Sequence, residues 1–140
     1  MNGRVFLDTN VIVYAHDTAS PGRQATAQAL IFDGLTAGNA VLSAQVLNEF
    51  YVTVTRKIAK PLPAALARRE VELLARLCVV EVDVPLVVRV IDVGARWQLS
   101  HWDGLIIAAA ERARCDPVLS EDLSNGQTYG PVTVRNPFAE

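Results

Sequence analysis

Four acidic residues occupy positions where carboxylates do chemistry. Asp8 ends the apolar run Val5-Phe6-Leu7, Glu49 sits among Leu47, Phe50 and Tyr51, Asp103 opens a long apolar stretch, and Asp122 follows Val118-Leu119-Ser120. Carboxylates gathered within a few ångströms repel one another, and without counter-charge at least one stays protonated at neutral pH. A cation removes the conflict. Oxygen donors with no His or Cys partner suit hard ions, Mg²⁺ or Mn²⁺, which keep waters and accept phosphate oxygens. One or two such ions can activate water and stabilise the leaving oxygen of a phosphodiester, which is the chemistry of a hydrolytic nuclease.

Each carboxylate also has a structural explanation. Asp8 can cap a helix starting at Thr9 or Asn10. Asp103 is the third residue after Ser100, the position of a capping box, where an acid favours the helix dipole. Glu49 can be a solvated helix position, and Asp122 a turn residue whose neighbour Glu121 could do the same work. Joint placement, not any one residue, carries the chemical reading.

Positioning the four requires strands that feed helices. Arg4 to Asp8 is a β-rich run leading into a helix from Thr9 to Ala15. A helix over 23 to 37 should stop near Gly38-Asn39, and Ala40 to Ser43 is a second strand. Val46, Leu47, Phe50, Tyr51 and Val54 recur at helical spacing over 44 to 58, before Pro61 and Pro63. A helix over 64 to 78 precedes a third strand, Val79 to Asp83, and Pro85 suits the first turn of a helix with the stripe Leu86, Val90, Val93, Trp97. Ser100 opens a helix over 105 to 114, closed by Cys115-Asp116-Pro117. Val118 to Ser120 is the next strand, and Val132 to Val134 an edge strand.

Short apolar strands alternating with helices imply parallel strands joined by crossovers, hence an α/β layer sandwich with its ligands beyond the carboxyl ends of the strands. That rule puts Asp8 and Asp122 at one edge, with Glu49 and Asp103 early in helices that begin near it. The 140 residues suit one domain spanning 1–140. No apolar run approaches the roughly 18 residues that span a bilayer, and Asp8 interrupts any signal-peptide core, so a cytoplasmic protein without membrane contact is expected. Cys78 and Cys115 have no metal-type spacing and read as small buried residues in a reducing compartment. The net charge of −2 excludes a generic basic coat for nucleic acid. Local clusters remain, at Arg56-Lys57 with Lys60, Arg68-Arg69, and Arg112 with Arg114, which can hold phosphates or simply be solvated helix faces. His101 is a possible substrate contact, His16 has no evident partner, and Trp97 and Trp102 can stack a base, pack in the core or, for Trp102, meet another subunit.

Val-Phe-Leu-Asp-Thr-Asn-Val at 5 to 11, Leu-Asn-Glu-Phe at 47 to 50, His-Trp-Asp-Gly-Leu-Ile-Ile-Ala-Ala-Ala at 101 to 110 and Leu-Ser-Glu-Asp-Leu at 119 to 123 resemble the successive motifs of PIN-domain proteins. The tail from Asn125 to Phe138 further resembles VapC-type toxins of bacterial toxin-antitoxin pairs. The resemblance implies a PIN-like three-layer α/β/α sandwich with a central, mainly parallel sheet of four to five short strands. It implies that Asp8, Glu49 and Asp103 hold Mg²⁺, for which Mn²⁺ can substitute, with Asp122 the more variable fourth acid. Thr9 and Ser120 match supporting hydroxyl positions, and Asn10 a polar residue beside them. Single-stranded or looped RNA as substrate, a homodimer and a small inhibitory antitoxin are likewise implied.

Two other functions compete. A strand ending in Asp-Thr-Asn resembles a haloacid-dehalogenase phosphatase, but that chemistry wants a general acid where Asn10 stands, and Lys57 and Lys60 are the only lysines. The other is a catalytically inactive PIN-like scaffold that binds RNA or protein, its acids holding only a structural ion.

Overall fold

The strands form where short runs of β-branched and large apolar residues are buried on both faces, as the middle of a parallel sheet requires. The computed structural model describes residues 3–139. Its elements are β1 (Arg4–Leu7), α1 (Thr9–Tyr14), α2 (Pro21–Ala37), β2 (Ala40–Ser43), α3 (Ala44–Arg56), α4 (Ala64–Leu74), β3 (Cys78–Val80), α5 (Val84–Trp97), α6 (His101–Arg112), β4 (Cys115–Leu119), β5 (Thr128–Tyr129) and β6 (Val132–Arg135). The sheet order is β3-β2-β1-β4-β6-β5, parallel at every pairing except β5 with β6. Four to five strands were expected; the sheet has six, the short β5 being a hairpin partner for β6 across Gly130.

From β1 the chain steps outward through β2 to β3, with α1 to α4 in the connections, then returns past β1 to β4 through α5 and α6. Right-handed crossovers in opposite directions set the two helix groups on opposite faces. Accordingly α5 packs on α6, which covers β2, β4 and β6, while α1 packs against α2 and α3. The core between them includes Phe6, Leu7, Val41, Leu42, Val46, Phe50, Ile107 and Val118, all buried. Strand order reverses between β1 and β4, and the carboxyl ends of such neighbours diverge to leave a crevice.

Several boundaries differ from the sequence reading. Cys115-Asp116-Pro117 does not close α6 but enters β4: Arg114 turns the chain in the left-handed region (φ 58°), and Cys115 is buried opposite Arg4. The register then shifts between Arg4 and Phe6, a local irregularity in which a strand proline is tolerated. α4 ends at Leu74, four residues early, and β3 begins at Cys78 and is over by Val80. Asp83 leaves the strand to cap α5, accepting the Leu86 amide at 2.9 Å. Cys78, at the start of the edge strand, is exposed, against the expectation that both cysteines would be buried; both are free thiols. Among the described residues no helix is long and apolar enough to cross a membrane.

Candidate active site

Asp8 follows β1 in extended conformation and is the N-cap of α1, accepting the Thr9 amide at 2.7 Å. Its other oxygen accepts the Ser120 hydroxyl, also at 2.7 Å. The residue is only 7% exposed. Burial pushes its carboxyl up to about 6; hydrogen bonds from Ser120 and Thr9 pull it back, and the charges of Asp122 and Glu49 push it further up. The capping role and the acidic cluster therefore coexist in one residue.

Asn10, two residues on, is the hub. Its amide nitrogen donates to Asp8 (3.4 Å), Ser120 (3.4 Å) and Asp122 (3.2 Å), and its carbonyl accepts the Glu121 amide at 3.0 Å. The buried Ser120 hydroxyl in turn accepts the amides of Asp122 (3.1 Å) and Leu123 (3.3 Å). The turn after β4 is thus folded onto the first turn of α1, which brings Asp122 beside Asp8 across 114 residues of sequence. Glu49 joins from the exposed side of α3, accepting the Thr9 hydroxyl at 3.1 Å. α3 begins immediately after β2 because Ser43 caps it through the Val46 amide, so Glu49 stands in its second turn.

Asp103 is placed differently. It lies half-buried in the first turn of α6, its amide held by the Ser100 hydroxyl at 3.1 Å, as the capping-box spacing predicts. Among the described residues its carboxylate has no hydrogen-bond or ion-pair partner, and no three acidic, histidine or cysteine side chains stand close enough together to hold a metal ion. The structure assembles Asp8, Asp122 and Glu49 through Asn10 and Thr9, and leaves Asp103 outside that hydrogen-bonded set.

Glu121 and Asp122, adjacent in sequence, face different partners. The Glu121 carboxylate accepts the Tyr14 hydroxyl at 2.6 Å and the Arg23 guanidinium at 2.8 Å. Burial opposes its ionisation, but those two hydrogen bonds and the Arg23 charge prevail and hold it below its ordinary value. The same hydrogen bond raises the Tyr14 phenol to about 12. Neither Tyr14 nor Arg23 stood out in the sequence. Tyr14 had a signal, lying one helical turn after Asn10, whereas Arg23 sits at the start of another helix and had none.

A cleft of about 420 Å³ opens on this cluster, lined by Thr9, Asn10, Tyr14, Glu49, Lys57 and Asp122 among others. Lys57 thus brings its basic cluster to the acidic cleft, while Arg112 pairs with Asp83 at 2.8 Å and Arg68 with Glu72 at 3.7 Å. His16, without a partner in sequence, meets Glu70 at 3.3 Å from another helix. Trp97 packs against the core and edge-on to Tyr129, whereas His101 and Trp102 are exposed.

The residues present fit a hard divalent cation by two observations. The donors are oxygens only, and the Asp8 charge is destabilised by burial and by the charges of Asp122 and Glu49, a cost that a divalent ion would offset. Asp8 and Asp122, tied through Asn10, are the two that could hold one, with its remaining positions going to water and phosphate oxygens, as Mg²⁺ permits.

Comparison with known proteins follows the same lines. The model of the PIN domain family matches residues 5–124. No curated protein matches the chain. Among solved structures, a toxin-antitoxin complex from Klebsiella pneumoniae superposes with a TM-score of 0.68 at 16% identity, covering 96% of this chain and 98% of that one. VapC20 of Mycobacterium tuberculosis, described as a Sarcin-Ricin loop cleaving toxin, gives 0.64 at 19% identity over 84% and 89%. FitAB bound to an IR36 DNA fragment gives 0.68 at 20% identity over 97% and 96%. At such identities the likeness is one of fold.

Proposed function

Because this chain belongs to the PIN-domain family, we propose that it is a metal-dependent ribonuclease of the VapC toxin type, one domain that hydrolyses RNA phosphodiester bonds. Asp8, Glu49, Asp103 and Asp122 would together hold Mg²⁺ or Mn²⁺, with Asp8 and Asp122 tied through Asn10. The observation that carries the reading is the Asn10 amide, which ties Asp8 to Asp122 and Ser120 at 3.2 to 3.4 Å. A turn residue or a helix cap needs no such bridge between two acids.

When bound, the divalent ion supplies charge neutralisation for the phosphate and activation of water. The chain's own residues do the rest. Ser120 and the Thr9 amide fix the Asp8 carboxylate in one orientation, and Asn10 sets its spacing from Asp122. Thr9 holds Glu49 at the cleft wall. Tyr14 and Arg23 occupy Glu121, which leaves Asp122 as the acid of that pair facing the cluster.

The partners proposed are RNA, a small protein antitoxin that blocks the cleft, and a second copy in a homodimer, in the cytoplasm. The toxin-antitoxin complex among the structural neighbours supports the antitoxin. RNA cleavage should require added Mg²⁺ or Mn²⁺, stop with chelator, and disappear in Asp8→Asn and Asp103→Asn while both variants still fold. Cleavage that persists in chelator overturns this mechanism. The second reading, a non-catalytic scaffold, is favoured by one observation: among the described residues no three acidic side chains stand close enough together to hold an ion. It predicts that Asp8→Asn keeps every RNA-directed effect.

A further inference from the structure

A second cleft, of about 630 Å³, lies between the start of α3 and the start of α6, lined by Ala44, Gln45, Asn48, Glu49, Trp102 and Leu105 among others. Glu49 lines both this cleft and the acidic one, so the two adjoin at that side chain of α3. Two of its groups are not used up by the fold: the exposed Trp102 ring and the Gln45 side-chain oxygen. Trp102 is 63% exposed, although an indole buries more apolar surface than almost any side chain when it packs. Gln45 is 8% exposed, and among the described residues its buried side-chain carbonyl has no hydrogen-bond partner, while its amide nitrogen donates to the Trp102 carbonyl at 3.4 Å. An unsatisfied buried carbonyl costs about 1–3 kcal/mol, so such a group calls for a donor from elsewhere. The terminal torsion of a glutamine is soft, so a donor entering the cleft can claim that oxygen with a small turn.

We propose that this cleft is a nucleobase subsite, in which a base of the RNA strand stacks on Trp102 and gives an exocyclic amino hydrogen to the Gln45 side chain. The inference rests on the ribonuclease reading for its substrate. The platform is pre-set: the His101 ring stands edge-on to the indole at 5.2 Å and 89°, and the Gln45 bond holds the Trp102 backbone. Glu49 connects the subsite to the cluster where the backbone is cut, so the base held here neighbours the scissile bond. The lining decides between a base and a second protein copy. Ala44, Val82, Trp102 and Leu105 offer apolar surface to the face of a base, while Gln45, Asn48 and Glu49 can meet its polar edge. The outer face of α5 instead carries Val84, Val88 and Ile91 exposed at helical spacing with no such polar group among them, a surface better suited to a protein.

The test uses the full chain in chelator, where no cleavage competes, titrated with eight-nucleotide oligoadenylate and oligouridylate. Wild type should show saturable quenching of tryptophan emission and bind oligoadenylate more tightly. Trp102→Ala should weaken binding about 5- to 100-fold with the salt dependence unchanged, because a stacked base and not a phosphate is lost. Trp102→Phe should restore most of the affinity, and Gln45→Leu should erase the preference for oligoadenylate. Equal binding by wild type and Trp102→Ala overturns the subsite, as does a Trp102→Ala chain that falls from dimer to monomer with its RNA affinity per protomer intact. Quenching without any cleavage in Mg²⁺ or Mn²⁺ would remove the ribonuclease reading and keep the subsite. Cleavage with no effect of Trp102 would do the reverse.

Discussion

Asp8 is charged at a cost, and the cost has a measurable pH signature. Its folded value of about 6 lies above the ordinary 3.8, so between those pH values the folded chain binds more protons than the unfolded one. Stability of the metal-free protein therefore falls as pH rises from about 4 through 6, and the penalty is complete above that window. Asp8→Asn removes it and should stabilise the metal-free chain by about 1–3 kcal/mol at pH 7.5, with the advantage fading below pH 4. Denaturant melts in chelator across this range decide the matter; an advantage that does not change with pH would sink the assignment. At the neighbouring pair, Glu121→Gln should leave cleavage within a few-fold of wild type, because Tyr14 and Arg23 already engage that carboxylate. Asp122→Asn should reduce cleavage far more in the same gel assay. Equal losses would mean that both acids serve the reaction.

Helices here are placed by how closely they approach the sheet, and α2 offers a paired test. A Cβ added at Gly34 would stand 2.5 Å from the Ala40 Cβ of β2, where neither backbone can yield cheaply. Gly34→Ala should therefore cost about 1–3 kcal/mol, even after the gain of roughly 1 kcal/mol in helix propensity. Gly22, in the first turn of the same helix, has nothing within 4 Å, and Gly22→Ala should stabilise by about 0.5–1 kcal/mol. Urea denaturation of the two variants reads both signs, and equal effects would show that α2 does not touch β2 so closely. The elements were legible wherever chemistry was local: the αL cap at Gly38, the proline in the first turn of α5 and the Ser100 cap of α6 all stand where their residue types demand. Cys115-Asp116-Pro117 was not, because proline as a helix stop outweighs proline in a strand until Cys115 and Val118 are known to be buried against β1 and β6.

At the scale of the whole molecule, a net charge of −2 means that RNA cannot be gathered by bulk attraction. On the proposed ribonuclease function a cation at the acids would supply the local field, and it should also stabilise the fold. Binding to the native state alone adds about 2.7 kcal/mol at a hundredfold excess over Kd, so Mn²⁺ should raise Tm by several degrees, reversibly with chelator. Asp8→Asn should abolish that rise. A rise that survives in Asp8→Asn would place the ion elsewhere.

The chain by itself determined the alternation of strands and helices and the strand-end placement of Asp8 and Asp122, because hydrophobic period, caps and breakers are properties of neighbouring residues. It also held the four motifs on which the PIN likeness rests. Only the tertiary structure decided which acids meet. The crevice between β1 and β4 joins Asp8 to Asp122 through Asn10, Tyr14 and Arg23 draw Glu121 aside, and Asp103 stays on α6 outside the hydrogen-bonded set. Those outcomes depend on contacts between residues about a hundred apart, and no local pattern encodes the distance between two strand ends.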